Sequence, residues 1–308
     1  MSPRIPALAV SSAVAIALAA LIPAHARAAA TEWRLPDLEQ EAPSGLVLTS
    51  GAFGRHADRY YLGFRSAVRN VGLGPLVIHG RRRSRRTPTM AATQIIQGDT
   101  VATRRVLGVG RMRYVVSPGH RHWHLLTFDR YTLRRIGGGH VQRRGRKTGF
   151  CLGDRYRTLA PLAAPASPAP AFTSNCGLGQ PGRLTMGEGI SVGYGDDYAA
   201  NLEGQLIALS GLPSGRYVLA HDVNPGHGLR ELRYDNNGAS LLLSLRWLRG
   251  MPYVRVLAAC DRSVSWSGHN ASASRHMIAR RDAEPVALAT AWQFYCHAGT
   301  ANTTALSR

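Results

Sequence analysis

Lysine is almost absent from this chain of 308 residues, because only Lys147 among its 38 lysine and arginine side chains is a lysine. An arginine stays protonated, whereas a desolvated lysine amine can lose its proton and attack a carbon electrophile. The lone lysine is therefore a candidate nucleophile, and the alternative interpretation is an ordinary surface residue. Its position shortly after the segment GHRHWH (119–124) favours the chemical interpretation.

Cysteine is also scarce, and the four residues have none of the close spacing of a zinc ribbon. An even set of this kind in an exported chain predicts two disulfides rather than free thiols. The sequence leaves three connectivities open. Pairing Cys151 with Cys176, and Cys260 with Cys296, would close two short local loops.

Long apolar runs are confined to the first 28 residues. Arg4 is followed by the apolar segment 7–22 and by small residues that suit cleavage, which predicts a signal peptide over residues 1–28. No later run is long enough to span a bilayer. We therefore expect a secreted protein without a membrane span.

Acidic residues are outnumbered, with 18 against 38 basic residues and a formal net charge of +20. Such a charge favours polyanions and repels polycations at long range. In an exported protein the polyanions are those of the cell envelope, so we expect no specific nucleic-acid partner. The five arginines of the segment 81–86 are interpreted as a solvated loop.

Sustained helical periodicity is missing as well. Short alternating apolar segments separated by Gly, Pro and Asn predict an all-β fold, mainly an antiparallel β-sandwich with long loops, over about 45–245. The Ala/Pro-rich segment 160–171 is one of those loops. We expect a catalytic domain over 29–246 and a C-terminal appendage of unknown role over 247–308.

Three histidines at alternate positions, His120, His122 and His124, give the strongest chemical signal. Alternate residues of a strand face the same side, so three imidazoles would line one surface. A straight strand would separate the outer two by about 13 Å, so the segment must bend, and Pro118-Gly119 permits this. An all-imidazole set fits Cu(II) best, and zinc remains open.

These residues resemble the lysyl oxidases, copper-dependent amine oxidases with a lysine tyrosylquinone cofactor. The likeness runs in order over about 35–245. Its motifs are 35–38 (LPDL), 64–72 (FRSAVRNVG), 120–124 (HRHWH), 128–131 (FDRY), Lys147 with 150–152 (FCL), 197–200 (DYAA) and 215–237.

The resemblance implies that the three histidines bind copper and that Lys147 and Tyr198 are the cofactor precursors. Primary amines, peptidyl lysine among them, would be oxidised by O₂ to aldehydes, with H₂O₂ and ammonia released. Asp196 is the candidate general base, and the alternative is that Asp196 and Asp197 are solvated turn residues.

Some members of the family also bind calcium. The resemblance implies that the matching groups here are Asp37, the Leu38 carbonyl, Glu231, Asn236 and Asn237. Arg233 replaces one acidic ligand, which weakens the attraction for a cation unless Asp235 compensates. Two alternative functions stay open at this stage. One is a secreted copper- or zinc-binding protein without turnover, and the other is an arginine-rich envelope module that binds polyanions.

Overall fold

Antiparallel strands make up the regular structure of this chain. The computed structural model describes residues 31–51, 59–117, 120–136, 142–145, 149–202 and 204–260. Within those ranges there are strands and turns but no helix, and the segment 158–184 is one long loop. The all-β, mainly antiparallel fold class predicted from the period-two apolar pattern is therefore confirmed.

The first sheet has six strands and carries the three histidines. Its order is β12-β5-β6-β7-β8, with β1 paired to β6. The strands are β1 (Trp33–Arg34), β5 (Leu76–Arg81), β6 (Thr89–Gly98), β7 (Thr103–Ser117), β8 (His120–Leu125) and β12 (Thr185–Ile190).

The second sheet has five strands in the order β10-β9-β15-β16-β17. They are β9 (Asp129–Arg135), β10 (Gln142–Arg144), β15 (Gly215–Val223), β16 (Gly238–Leu248) and β17 (Met251–Cys260). Strand β17 pairs with β16, so the first residues of the expected appendage at 247–308 continue this sheet. Residues 261–308 lie outside the described ranges, as does the predicted signal peptide.

The third sheet has six strands, with β11-β13-β4-β14 as its main path and with β2 and β3 also paired to β4. They are β2 (Leu38–Gln40), β3 (Ser44–Gly51), β4 (Arg59–Asn70), β11 (Tyr156–Arg157), β13 (Tyr194–Tyr198) and β14 (Leu206–Ala208). Strand β13 carries Asp196 and Tyr198, and its pairing with β4 fixes both positions against Val68 and Ser66.

One apolar core draws residues from all three sheets, including Trp123, Leu133 and Phe64. Burying a large apolar side chain stabilises the fold by about 1.5–3 kcal/mol. A buried polar cluster also connects the second and third sheets, since the His221 ring lies 2.8 Å from Gln40 Nε2 and 3.1 Å from Ser66 Oγ. Trp123 and Tyr198 both belong to the apolar core, so the strand of the three histidines and the strand of Asp196 are anchored in it.

The arginine-rich segment 81–86 is only partly the solvated loop expected from the sequence. Its other arginines are exposed, but Arg82 is buried and lies over the Trp123 ring, 4.7 Å from its centre. Arg82 also donates hydrogen bonds to three backbone carbonyls of neighbouring loops. Buried guanidinium groups need such partners, and Arg82 is therefore a packing residue.

No helix in the described residues is long and apolar enough to cross a membrane.

Candidate active site

The three imidazoles of β8 converge. One ring nitrogen from each of His120, His122 and His124 lies within 4.8 Å of the other two. The centres of the outer two rings, those of His120 and His124, are 5.4 Å apart, far less than a straight strand would give for residues four apart. His120 and His124 are buried and His122 is half-buried. Pro118 and Gly119, where a bend was expected, lie outside the described residues.

Both edges of β8 are held, so the histidine backbone is fixed. On one side β8 pairs with β7, and Arg113 lies opposite His124 in the register. On the other side Trp123 N donates to the Cys176 carbonyl at 2.9 Å, and Leu125 and Phe150 exchange backbone hydrogen bonds of 2.8 and 3.0 Å. Such a strand can hold its ligands in place before a metal arrives.

Tyr198 ends β13 beside the segment that follows Lys147. Its ring is buried, and its hydroxyl donates to the Cys151 carbonyl at 2.7 Å. The Phe150 ring packs edge-on against it, with 4.7 Å between ring centres. Phe150 in turn pairs with Leu125, the residue after His124. Tyr198 and the histidine strand are thus separated by a single layer of chain, and Lys147 itself lies outside the described residues.

A disulfide between Cys151 and Cys176 closes this layer. The Cys151 carbonyl accepts a hydrogen bond from the Tyr198 hydroxyl, and the Cys176 carbonyl accepts one from Trp123 N. The disulfide therefore links the backbone beside Tyr198 to the backbone beside the histidines. The pairing of Cys151 with Cys176 is one of the two local loops considered from the sequence. Cys260 is also disulfide-bonded, and its expected partner Cys296 lies outside the described residues.

Asp196 is not the solvated turn residue of the alternative interpretation. It lies on β13 with no exposed surface, and Arg155 Nε donates to its Oδ1 at 2.5 Å. Asp197 is partly exposed and pairs with Arg65 at 2.9 Å. Adjacent carboxylates on one strand therefore occupy different environments, and the buried one lies beside the tyrosine.

Arg155 contacts both Asp196 and Tyr198, and no pattern in the sequence had indicated this residue. Its guanidinium carbon lies 4.9 Å from the centre of the Tyr198 ring. Burial works against the charge of Arg155, but Asp196 and Tyr198 together outweigh burial and raise the Arg155 pKa. The pKa of the Tyr198 phenol is raised well above its usual value by burial and then by the Asp196 charge. The phenol is therefore neutral at physiological pH.

A second carboxylate of this region, Glu188 on β12, was also missed. It is buried, and its pKa is raised well above the usual range by burial and then by the charge of Asp196. Two buried carboxyls that influence each other favour one ionised and one neutral partner. The ion pair with Arg155 assigns the charge to Asp196 and leaves Glu188 neutral.

The four side chains of the expected calcium site, those of Asp37, Glu231, Asn236 and Asn237, lie close together. Asn236 Nδ2 donates to Asp37 Oδ1 at 2.8 Å, while Glu231 accepts from Asn237 Nδ2 and from Leu38 N, each also at 2.8 Å. Burial raises the pKa of Glu231 to about 7. The buried amide oxygens of Asn236 and Asn237 accept no hydrogen bond from the described residues. A set of buried carboxylate and amide oxygens is the ligand chemistry that calcium prefers.

Arg233 does not fill this cluster. It forms a two-pronged ion pair with Asp235, at 2.9 and 3.1 Å, and both side chains are more than half exposed. Asp235 thus compensates the added positive charge, as considered from the sequence, and the residues present fit a calcium ion.

Part of the chain is similar to known proteins. Residues 99–246 match the family model described as Lysyl oxidase. Lysyl oxidase homolog 4 of Homo sapiens is 27% identical over 133 residues, which are 42% of this chain and 15% of that protein. Protein-lysine 6-oxidase of Rattus norvegicus is 28% identical over 128 residues, 38% of this chain and 25% of that protein. The chain thus aligns with a quarter or less of these relatives. Residues 99–246 contain the histidine cluster, Asp196 and Tyr198, so these candidate site residues lie in the part of the chain that matches this family model.

Proposed function

We propose that the protein is a secreted copper-dependent amine oxidase. It converts primary amines, among them the lysine side chains of proteins, to aldehydes with O₂, and releases H₂O₂ and ammonia. The observation that carries the proposal is the convergence of three histidine ring nitrogens to within 4.8 Å, in the part of the chain that matches the Lysyl oxidase family model.

Copper is the metal that these residues would hold. Neutral imidazoles suit Cu(II), Zn(II) and Ni(II), and a site without a thiolate or carboxylate ligand favours Cu(II) with water in the open positions. Zinc has no redox chemistry and could occupy the site without supporting oxidation. His120, His122 and His124 are the proposed ligands.

Lys147 and Tyr198 are the proposed precursors of the quinone cofactor that the family resemblance implies. When formed, this cofactor supplies a carbonyl group that condenses with the substrate amine. Lys147 lies three residues before Phe150 in the sequence, three residues of extended chain span at most about 10 Å, and the Phe150 ring packs against Tyr198.

The surrounding residues have defined tasks in this proposal. Asp196 accepts the proton from the carbon next to the substrate nitrogen, because it is a buried carboxylate beside Tyr198. Arg155 keeps that carboxylate ionised and oriented through a 2.5 Å hydrogen bond. The Cys151 carbonyl fixes the Tyr198 hydroxyl, and the buried surroundings exclude water from the reacting carbon.

Calcium and secretion complete the proposal. Asp37, the Leu38 carbonyl, Glu231, Asn236 and Asn237 would bind one calcium ion that stabilises the junction between β2 and the segment before β16. The Cys151–Cys176 disulfide supports an oxidising compartment outside the cytosol, where such bonds persist.

Hydrogen peroxide release tests the function. Copper-loaded protein should produce H₂O₂ only when a primary amine is supplied, whereas zinc-loaded protein and the copper-loaded Lys147→Arg variant should produce none. Arginine keeps the charge of the lysine but cannot act as the cofactor nucleophile. Copper binding without amine-dependent H₂O₂ would identify a metal-binding protein without turnover and overturn the proposal.

A further inference from the structure

One face of the first sheet carries five exposed arginines: Arg34, Arg81, Arg105, Arg111 and Arg113. We call these five residues the cationic face. The register places them on the same side, because Arg81 pairs with Ala91, which pairs with Arg111, while Thr89 of the same strand pairs with Arg113. No strand position on this side of the sheet holds an aspartate or glutamate in the described residues.

The cationic face is continuous with the histidine cluster. Arg113 lies directly opposite His124 in the β7–β8 register, and Val115 lies opposite His122. Directly opposite residues of an antiparallel pair have Cβ atoms about 4.5–5.5 Å apart on one side of the sheet. A chain bound along β7 would therefore pass beside the proposed copper ligands.

No described residue neutralises the arginines of the cationic face. Among the described residues none of the five takes part in an ion pair, and Arg111 contacts the hydroxyl of Thr89 at 3.5 Å. The third sheet shows the contrast, since Arg65 and Arg69 there pair with carboxylates. Unpaired guanidinium groups can bind incoming carboxylates in a forked geometry.

The chemistry of the proposed reaction calls for such a surface. An amine substrate is a cation at neutral pH, and a chain with a net charge of +20 repels it. A lysine flanked by acidic residues instead belongs to a segment that the protein attracts. Alternate side chains of an extended peptide lie about 6.6–6.8 Å apart on one side, which matches the spacing of Arg111 and Arg113 along β7.

We propose that the cationic face binds an extended acidic segment next to the lysine that is presented for oxidation. The preferred substrates are then polypeptides whose lysine lies among aspartate and glutamate residues. This inference rests on the proposed amine oxidase function. A polypeptide is favoured over an anionic polysaccharide because the anionic groups and the reacting amine must belong to one chain that reaches both the arginines and the histidine cluster.

Two measurements on the full-length protein test the inference. The first is fluorescence anisotropy with copper-free protein and labelled peptides whose lysine is flanked at alternate positions by glutamate, or by glutamine as a matched control. The second is kcat/KM for the same peptides with copper-loaded protein. Each measurement is made on three proteins: the wild type, the double variant Arg111→Glu with Arg113→Glu, and the double variant Arg246→Glu with Arg255→Glu. The last is a control, because it changes the charge by the same amount at exposed positions of β16 and β17.

We expect the wild type to prefer the glutamate peptide by roughly tenfold in both measurements at low salt, as two exposed charge contacts would give. High salt should reduce the preference. Reversing Arg111 and Arg113 should abolish or invert it, and reversing Arg246 and Arg255 should reduce binding of both peptides alike without removing it.

The outcomes separate this inference from the function. Oxidation of both peptides with equal kcat/KM would overturn the inference and leave the amine oxidase standing. Charge-selective binding without oxidation of any peptide would overturn the function and retain only a docking surface. Heparin binding that depends on Arg111 and Arg113, with no discrimination between peptides, would identify a polysaccharide surface and overturn the inference.

Discussion

Arg155 donates a hydrogen bond from Nε to Asp196 Oδ1 at 2.5 Å, and its guanidinium carbon lies 4.9 Å from the centre of the Tyr198 ring. One arginine therefore contacts both the proposed general base and the proposed cofactor precursor. A buried carboxylate without its ion-pair partner is strongly disfavoured. The state of Asp196 accordingly depends on Arg155.

The variant Arg155→Gln should lower kcat for amine oxidation by about a hundredfold, a typical contribution of a general base. The acidic limb of the pH profile should also move to higher pH, because the cation that favours the ionised carboxylate is gone. Arg155→Lys keeps the charge and should recover part of the rate. Steady-state kinetics across pH measure both effects.

Arg157→Gln is the matched control, because Arg157 lies two residues away and its guanidinium covers the Tyr194 ring, at 5.2 Å from the ring centre, rather than Tyr198. Its pH profile should resemble that of the wild type. An Arg155→Gln variant that folds, binds copper and retains the wild-type pH profile would show that the ion pair has no part in catalysis.

Copper content is expected to depend on His122. His122→Ala removes one of three imidazoles and should abolish stoichiometric copper binding while leaving a folded protein, because this half-buried side chain contributes little to the core. His79→Ala, on β5 of the same sheet, should bind copper like the wild type. Metal analysis after dialysis gives the answer, and full copper occupancy in His122→Ala would reject the assignment.

Calcium should stabilise the folded protein. Binding to the folded state alone at a hundred times Kd adds about 2.7 kcal/mol to the free energy of unfolding. The melting temperature should therefore rise when calcium replaces a chelator, and Glu231→Gln should abolish the increase. Asp222→Asn, which affects an ion pair with Arg130 in the second sheet, should preserve it. Equal melting temperatures with calcium and chelator would contradict the site.

Alkaline pH should destabilise the copper-free protein through its buried phenols. Burial is the main cause that raises the pKa of Tyr131 and of Tyr198 well above 10, so folding favours their neutral forms. Their contribution to stability is complete below about pH 10, the unfolded value, and is lost as the pH rises further. Spectrophotometric titration counts the phenols that ionise near pH 10. In the native state this number should be the same for wild type and Tyr198→Phe, and after denaturation it should be lower by one in Tyr198→Phe. A native difference near pH 10 would contradict this burial.

The fold class and the histidine cluster were predictable from the sequence, since both follow from local periodicity. Alternation of apolar residues predicts strands, and three histidines at alternate positions predict one lined surface. The order of the strands within each sheet was not predictable. For example, β12 pairs with β5 across more than 100 residues of chain. Such pairing depends on the tertiary structure.

Arg155 and Glu188 show why the rest of the site was missed. In a chain with 38 basic residues, no local pattern distinguishes Arg155 from arginines on the surface. Its contact with Asp196 spans 41 residues. The burial of Glu188 depends equally on elements distant in sequence. Long-range ion pairs of this kind leave no periodic signature, and only the assembled strands bring the groups together.

Peptide mass spectrometry of the copper-loaded protein is the most direct test of the proposed chemistry. We expect one species in which the peptides containing Lys147 and Tyr198 are covalently joined, and phenylhydrazine should trap this species through its carbonyl group. The species should be missing from Lys147→Arg, which should still bind copper. If active, copper-loaded wild type yields only separate, unmodified Lys147 and Tyr198 peptides, the quinone assignment is wrong.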